Sequence, residues 1–305
     1  MRARQQGTND FSASVHVSLK ETWAPAAERF QTVASVFAVE DAGGITAVGA
    51  RLHSEDPTLR IATVIASNSG RPGGACRDIT GDVSRRQIHG HHSTQEEDCV
   101  SNWLITASES WAVRSRHFAR ISGSFGLRSP EGTDTATIQG IDYTTSGVMG
   151  ARMYADAWCC QGVRLSDKRV TGTAAARFDT TRTYPTTLVF CAGPNAQEPG
   201  RASASSSMRR TFSQRAHDEL SFLEAGAAWA VYAALHASAA CGCDAVLLPF
   251  VSGGLYAGPW RSEPDLRRRF AAHVERMLKN GELPDGTACA PLGNCFRKVV
   301  IVVLP

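Results

Sequence analysis

Short apolar runs alternate along the chain with segments whose apolar residues recur at helical spacing. Continuous apolar runs are typical of strands covered on both faces, and they occupy residues 61–66, 187–192, 245–250 and 298–304. Helical spacing of apolar residues predicts helices over residues 21–32, 99–112, 220–240 and 264–279. Strands that alternate with helices in this way predict an α/β layer sandwich.

Weaker patterns fill the intervals between these elements. They predict a weakly ordered N-terminus at 1–20, strands at 33–40, 45–52 and 153–165, an elaborated surface or active-site cover at 114–150, and a small-residue loop at 201–207. No repeat or persuasive linker divides the rest of the chain, so we expect residues 21–305 to form a single domain.

The composition excludes several classes of protein. Hydrophobic residues make up 43% of the chain and charged residues 20%, which is ordinary for a globular domain. A formal net charge of +3 is too small to indicate direct nucleic-acid binding, and the sequence lacks an apolar run long enough to span a membrane. The polar N-terminus lacks the apolar core of a secretory signal. We therefore expect an intracellular protein, either cytoplasmic or nuclear.

The cysteines are nine in number and scattered, and an odd count in a chain without an export signal disfavours a disulfide framework. Cys241-Gly-Cys243 lacks the second half of a zinc site, and so does the histidine-rich segment 89–99. The sequence therefore predicts no metal site and no cofactor.

Two glycine-rich loops follow two of the buried strands. Residues 68–75 come after the strand at 61–66, and residues 252–258 follow the strand at 245–250. In such sheets ligands bind at the carboxyl ends of strands, and backbone N–H groups of glycine-rich loops can hold phosphate. If the two strands are neighbours, both loops face one crevice and can grip a diphosphate from two sides.

Two adjacent carboxylates, Glu96 and Glu97, stand at the entrance to the predicted helix 99–112. Paired acids beside a phosphate-binding loop indicate chemistry on a phosphorylated sugar. A structural alternative exists, because Ser93 and Thr94 each precede one of these glutamates by three residues, as in a capping box. The capping box is the commoner role for such a pair taken alone, but the two glycine loops favour a catalytic Glu97.

These motifs resemble the macrodomain fold and, within it, the microbial type of poly(ADP-ribose) glycohydrolase. That family carries an Asn at a strand end, then Pro-Gly-Gly-Gly, then Gln-Glu-Glu before a helix. The counterparts here are Asn68, Pro72-Gly-Gly-Ala75 and Gln95-Glu-Glu97. The later segments at 188–195 and 247–258 are similar to the family's small-Pro turn and its second substrate loop. The resemblance spans nearly the whole chain and implies a three-layer α/β/α sandwich with a mixed central sheet.

The resemblance also implies binding of ADP-ribose and hydrolysis of an O-glycosidic ribose bond, with poly(ADP-ribose) or ADP-ribosylated proteins as partners. Glu97 would protonate the departing oxygen and then activate water, while Glu96 would hold hydroxyls of the reacting ribose. The other site residues implied are Gln95, Asn68 and Tyr256 at the ribose, and the N–H groups of Gly73, Gly74, Ala75, Ser252, Gly253, Gly254 and Leu255 at the diphosphate.

Two departures from the family pattern leave a second function open. Ala75 replaces the third glycine, and a Cβ restricts the turns that a backbone can make. The segment between Gly74 and Gln95 is longer than in the family. Both features favour a non-catalytic module that binds ADP-ribose as the main alternative to a hydrolase. Hydrolysis of another nucleotide-linked sugar or phosphate ester is a weaker third hypothesis.

Overall fold

The computed structural model describes the residues that build a central sheet and most of the helices around it. The described residues are 15–19, 28–40, 43–67, 99–100, 102, 137–138, 141–142, 147–170, 176–197 and 207–303. Strands in these ranges are β1 (Val15–Ser18), β2 (Ser35–Glu40), β3 (Ile61–Ala66), β4 (Thr137–Ile138), β5 (Ile141–Asp142), β6 (Asp156–Val170), β7 (Ala176–Cys191), β8 (Ala245–Pro249) and β9 (Lys298–Val303).

Helices flank these strands in chain order. Those with described ends are α1 (Gly44–Glu55), α2 (Gly147–Arg152), α3 (Ser207–Asp218), α4 (Leu220–Ala240) and α5 (Leu266–Asn280), with 3₁₀ segments at Leu255–Ser262 and Gly293–Cys295. Cys99, Val100 and Asn102 are also helical, and the rest of the helix predicted at 99–112 lies outside the described residues. None of the helices in the described ranges combines the length and the apolar character needed to cross a membrane.

Seven strands form one mixed sheet in the order β1-β6-β7-β3-β8-β9-β2, while β4 and β5 pair separately. The strands from β7 through β3, β8 and β9 to β2 are parallel to their neighbours. By contrast, β6 runs antiparallel to both β7 and β1. The prediction of a mixed central sheet is confirmed.

The side chains of β3 show how the sheet is covered. Ala62 and Val64 belong to a buried cluster that includes residues of α4 and α5, whereas Ile61 and Ile65 belong to a second cluster with residues of α1. Successive residues of a strand point to opposite faces, so helices cover both faces of the sheet. The three-layer α/β/α sandwich is confirmed, and burial on both faces explains why the β3 sequence is apolar throughout.

The strongest sequence patterns gave the correct elements. β3 and α4 have the predicted bounds, and β2, β8, β9 and α5 differ from the prediction only at their ends. β6 and β7 contain the predicted apolar segments but extend beyond them into a long antiparallel hairpin. The outer half of that hairpin is polar, which is why its apolar pattern predicted only the buried half.

Two predicted elements are wrong. Residues 45–52 lie in helix α1 instead of a strand, because the buried Ile45, Val48 and Leu52 recur at helical spacing along one face. The helix predicted at 21–32 does not extend through 28–32, where the backbone N–H groups of Arg29 and Phe30 donate to the Asn294 carbonyl at 2.8 and 2.9 Å. Residues 21–27 lie outside the described residues.

Two further elements were not predicted at all. β1 lies inside the segment expected to be weakly ordered, yet Val15 to Ser18 pair with β6 at the edge of the sheet. Helix α3 begins at Ser207, the last residue of the predicted loop 201–207, and residues 201–206 lie outside the described residues. The polar sequence of α3 offers little periodicity, since Phe212 and Ala216 carry most of its described apolar contact with the core.

Candidate functional site

Three neighbouring parallel strands bring their following loops to one edge of the sheet. β3 pairs with β8 on one side, with Ala62 opposite Val246, and with β7 on the other. The pairing of β3 with β7 continues one residue further, because the Ser67 N–H donates to the Cys191 carbonyl at 2.7 Å. The condition set by the sequence analysis, that the strands before the two glycine loops be neighbours, is therefore met. β3, β7 and β8 all end at this edge, and the described loops after β7 and β8 leave from it.

The described residues contain one half of the predicted site. The loop after β8 is described, with the side chain of Leu255 excepted. The remaining predicted site residues lie outside the described residues: Asn68, Gly73, Gly74, Ala75, Gln95, Glu96 and Glu97. The position of the acid pair relative to the β8 loop therefore stays a prediction.

The loop after β8 turns sharply at Ser252 and Gly253. Ser252 has a positive φ of +58°. Within the described ranges, every other residue with positive φ is a glycine. The backbone strain at Ser252 is offset by a buried hydrogen bond, in which Oγ donates to the Pro194 carbonyl at 2.7 Å. At the next position, a Cβ on Gly253 would lie 2.1 Å from the Phe250 ring, so only glycine fits this turn.

The loop after β7 contacts the β8 loop through backbone atoms. The Ala196 N–H donates to the Tyr256 carbonyl at 2.7 Å. Gly258 has φ +56°, and a Cβ there would lie 1.9 Å from the Ala196 carbonyl oxygen. A Cβ on Gly193 would likewise lie 2.3 Å from the Ser252 Oγ. The two loops thus meet backbone against backbone, and glycines at the contact make this close approach possible.

These supporting residues were missed as members of the site. The sequence predicts that Gly193-Pro194-Asn195 ends a strand and is similar to a family motif, but it does not indicate that this turn contacts the β8 loop. Its contact with that loop joins residues 58 positions apart in sequence. The available signal was a glycine shortly after each of two apolar strands, at Gly193 and at Gly253, because such a glycine can mark a close approach of two backbones.

Backbone N–H groups at the tip of the β8 loop can bind an anion. The Gly253 N–H is already used, since it donates to the Phe250 carbonyl at 3.1 Å. Within the described ranges, the N–H groups of Gly254 and Leu255 have no acceptor. Gly254 is exposed, and no described atom lies within 4 Å of the position its Cβ would take. Adjacent N–H groups in an open turn form the kind of concavity that binds phosphate.

Tyr256 is anchored at its backbone beside these groups. Its carbonyl accepts the Ala196 N–H, and its side chain is partly buried. An amphipathic ring in such a position can pack against a sugar while its hydroxyl stays at the polar surface. The predicted role of Tyr256 beside a ribose stays a prediction.

An apolar cleft between α4 and α5 lies behind the β8 loop. Leu223, Ala227, Phe250, Phe270, Val274 and Met277 are among the residues that line it. The rings of Phe250 and Phe270 pack edge to face, with centroids 5.1 Å apart. This packing fixes Phe250, the residue that directly precedes the β8 loop.

The charges beside this cleft are compensated within the protein. Glu224 accepts two hydrogen bonds from Arg269, at 2.7 and 2.6 Å. Burial lowers the pKa of His273, so this ring is neutral at pH 7. Among the described residues that line the cleft, the charge of Glu224 is therefore compensated by Arg269.

Solved structures similar to this one come from microbial poly(ADP-ribose) glycohydrolases. The enzyme from Thermomonospora curvata aligns over 99% of this chain and 84% of its own, with a TM-score of 0.54 and 14% identity. Its complex with the inhibitor ADP-HPD aligns over 99% and 83%, with a TM-score of 0.52 and 14% identity. The Deinococcus radiodurans enzyme in complex with ADP-ribose aligns over 100% and 92%, with a TM-score of 0.54 and 13% identity.

Comparison by sequence gives no match, in contrast to comparison by structure. No protein-family model and no curated protein matches the chain. Identities of 13–14% with the solved structures make the likeness one of fold. The chain has the macrodomain-type fold of the microbial poly(ADP-ribose) glycohydrolases, as its motifs predicted.

Proposed function

We propose that this protein is an ADP-ribosyl glycohydrolase, which cleaves O-glycosidic ribose bonds in poly(ADP-ribose) or in protein-linked ADP-ribose. The observation that carries the proposal is the parallel pairing of β3 with β8, because the two strands that precede the glycine-rich loops then end at one edge of the sheet. The structures with the same fold include poly(ADP-ribose) glycohydrolases in complex with ADP-ribose and with the inhibitor ADP-HPD.

The diphosphate would be held mainly by backbone N–H groups. On the β8 side, Gly254 and Leu255 offer N–H groups without an acceptor in the described structure. On the β3 side, the donors would be those of Gly73, Gly74 and Ala75. Binding by neutral backbone dipoles places partial positive charge at the phosphates, as in other nucleotide-binding loops.

Glu97 would carry the chemistry. In glycoside hydrolysis a carboxylic acid protonates the leaving oxygen and then, as a carboxylate, activates water against an oxocarbenium-like centre. Glu96 would orient hydroxyls of the reacting ribose, with Gln95 and Asn68 in support, and Tyr256 would pack against the ribose. A general acid needs a raised pKa, and burial beside a bound diphosphate acts in that direction on a carboxyl group.

Glu97→Gln tests this assignment directly. Loss of general acid–base catalysis should lower the release of ADP-ribose from poly(ADP-ribose) or ADP-ribosylated protein by about 10²- to 10⁴-fold, measured by chromatography of the released nucleotide. Glu275→Gln is the matched control, because Glu275 is an exposed residue of α5 that pairs with the exposed Lys279, at 3.8 Å. Wild-type rates in Glu97→Gln would overturn the proposed role, and wild-type rates in Glu275→Gln are expected.

A binding module without hydrolase activity is the second candidate. It is favoured by Ala75, which stands where the family carries glycine, and by the long segment between Gly74 and Gln95. Calorimetry with ADP-ribose, combined with the release assay on the same preparation, separates the two functions. Tight binding of ADP-ribose without any release would replace the hydrolase with the binding module.

A further inference from the structure

The last turn of helix α3 is hydrogen-bonded to both loops that form the described half of the candidate site. The imidazole Nδ1 of His217 lies 3.0 Å from the Ala196 carbonyl oxygen, in the loop after β7. One residue earlier, the Ala216 carbonyl accepts a hydrogen bond from the Trp260 indole at 2.9 Å. Trp260 belongs to the 3₁₀ segment that continues the β8 loop. Since the Ala196 N–H donates to the Tyr256 carbonyl, α3 and the two loops are joined pairwise.

Ala196 is the residue at which these three segments meet. It is completely buried, and its N–H and its carbonyl are bonded to different elements, the β8 loop and α3. No backbone N–H of the described residues donates to this carbonyl. A buried carbonyl without a donor is costly. The imidazole of His217 therefore supplies a bond that the described backbone does not.

This bond also fixes the tautomer of the His217 ring. A carbonyl oxygen can only accept, so the proton of the neutral ring lies on Nδ1. The neighbouring polar side chains of α3 bond close to the helix itself, Gln214 to Asp218 and Arg215 to Glu219. Among the described side chains of α3, that of His217 is thus the one with a hydrogen bond to a loop of the candidate site.

We propose that His217 is a positioning residue of the ADP-ribose site, which acts through the main chain without touching the ligand. Its Nδ1–H holds the Ala196 carbonyl, and the N–H of the same alanine holds the Tyr256 carbonyl. Tyr256 directly follows Gly254 and Leu255, so the position of Ala196 sets the direction in which their N–H groups point. This role rests on the proposed function, in which those N–H groups bind the diphosphate.

Two substitutions separate the Nδ1 donor from the rest of the ring. The amide nitrogen in His217→Asn is bonded to Cγ, as Nδ1 is, and can still donate to Ala196, whereas the amide nitrogen in His217→Gln takes the place of Nε2. In the ligand-free protein, hydrogen exchange at the Ala196 N–H should be about tenfold faster in His217→Gln and nearly unchanged in His217→Asn. Equal exchange in His217→Gln and wild type would overturn the proposal.

The affinity for ADP-ribose, measured by calorimetry, should follow the exchange rates. We expect the Kd to rise about tenfold in His217→Gln and to stay near the wild-type value in His217→Asn. The control Gln214→Ala removes a 2.8 Å bond to Asp218 within α3 and should change neither quantity. Unchanged affinity in His217→Gln, or equal losses in both His217 variants, would overturn the proposal. If the wild-type protein binds no ADP-ribose, the proposed function fails, whereas the exchange rates still confirm or overturn the hold of His217 on Ala196.

The tautomer provides a test that needs no substitution. In the wild-type protein without ligand, ¹⁵N NMR of the His217 ring in its neutral form should find the proton on Nδ1 and a lone pair on Nε2. This result is expected only if Nδ1 donates to the Ala196 carbonyl. A proton on Nε2 would show that the bond is absent and would overturn the proposal.

Discussion

The two ends of the parallel strands are secured by different forces. At the amino end, Asp244 precedes β8 and accepts hydrogen bonds from the side chain of Arg29 and from the backbone and side chain of Arg60. Close by, Arg297 pairs with Asp56 at 3.1 Å. At the carboxyl end, the loops after β7 and β8 meet through main-chain atoms and the Ser252 hydroxyl. Within the described ranges, no ion pair joins these two loops.

The difference follows from the proposed site of ligand binding, because only the carboxyl end must keep backbone N–H groups available for a ligand. Charged side chains can close the amino end because no ligand is proposed to approach it. At the carboxyl end, a carboxylate would repel a diphosphate and an arginine would compete with the backbone for it. Glycines and a strained serine fix the loops there while the N–H groups of Gly254 and Leu255 stay available. Substitutions at the amino end should therefore change only the stability, whereas substitutions at the carboxyl end should change both the stability and the affinity for ADP-ribose.

Gly258→Ala should have the largest effect. Its Cβ would lie 1.9 Å from the Ala196 carbonyl oxygen, which belongs to backbone and cannot rotate away. The positive φ costs about 1–2 kcal/mol for a residue with a Cβ, and overpacking adds about 1–3 kcal/mol. We expect the free energy of unfolding, measured by urea denaturation, to fall by about 2–5 kcal/mol, with loss of ADP-ribose binding.

Gly286→Ala separates the clash from the backbone strain. Gly286 has φ +79° but is exposed, and no described atom lies within 4 Å of its added Cβ. This substitution should cost only the conformational part, about 1–2 kcal/mol, and leave ADP-ribose binding intact. Equal losses of stability in the two variants would show that the contact between the loops contributes nothing.

Asp244→Asn should have the next largest effect, confined to stability. Burial raises the pKa of Asp244, but the hydrogen bonds from Arg60 and the charges of Arg60 and Arg29 outweigh it and hold the pKa below the ordinary 3.8. Removing the charge from this partly desolvated cluster should lower the free energy of unfolding by about 2–3 kcal/mol at pH 7. ADP-ribose affinity, measured by calorimetry, should not change.

The pH dependence of this effect has a definite direction. A carboxyl whose pKa is lowered on folding stabilises the protein fully above its unfolded pKa, and it loses that contribution as the pH falls through the folded value. The difference between Asp244→Asn and wild type should therefore be constant near neutrality and shrink below pH 3.8. Asp265→Asn is the control, since its pair with Arg268 is exposed and should contribute less than about 0.5 kcal/mol. A pH-independent difference for Asp244→Asn would contradict the charge-based explanation.

The sequence predicted the elements in which nearly every residue is buried. β3 and α4 are covered on all sides, so an unbroken apolar run and a dense apolar helix were sufficient signals. Residues 45–52 were misassigned because a short amphipathic helix and a short strand share many apolar positions. Helix α3 was missed because most of its sequence is polar.

For the candidate site, the sequence predicted the edge of the sheet but not the individual contacts between the loops. Both glycine loops follow apolar strands, and general rules for parallel sheets place such loops together. The pairing of Ser252 with Pro194 was not predictable, because a hydroxyl at a positive φ has no sequence signature and its partner lies 58 positions away.

Ser252 offers the smallest and most specific test of the carboxyl end. Ser252→Ala removes the 2.7 Å hydrogen bond to the Pro194 carbonyl but keeps the strained φ of +58°, so it should lower the free energy of unfolding by about 1 kcal/mol. Because the same turn orients the N–H groups of Gly254 and Leu255, ADP-ribose affinity in calorimetry should fall about fivefold, the equivalent of about 1 kcal/mol.

Ser252→Gly separates the strain from the hydrogen bond. Glycine adopts a positive φ at no steric cost, so relief of about 1 kcal/mol of strain should offset most of the lost bond, and the protein should be nearly as stable as wild type. The hydrogen bond that orients the turn is still absent, so ADP-ribose affinity should fall as far as in Ser252→Ala. If affinity instead recovers together with stability, the hydroxyl does not orient the loop, and the carboxyl end is held by main-chain packing alone.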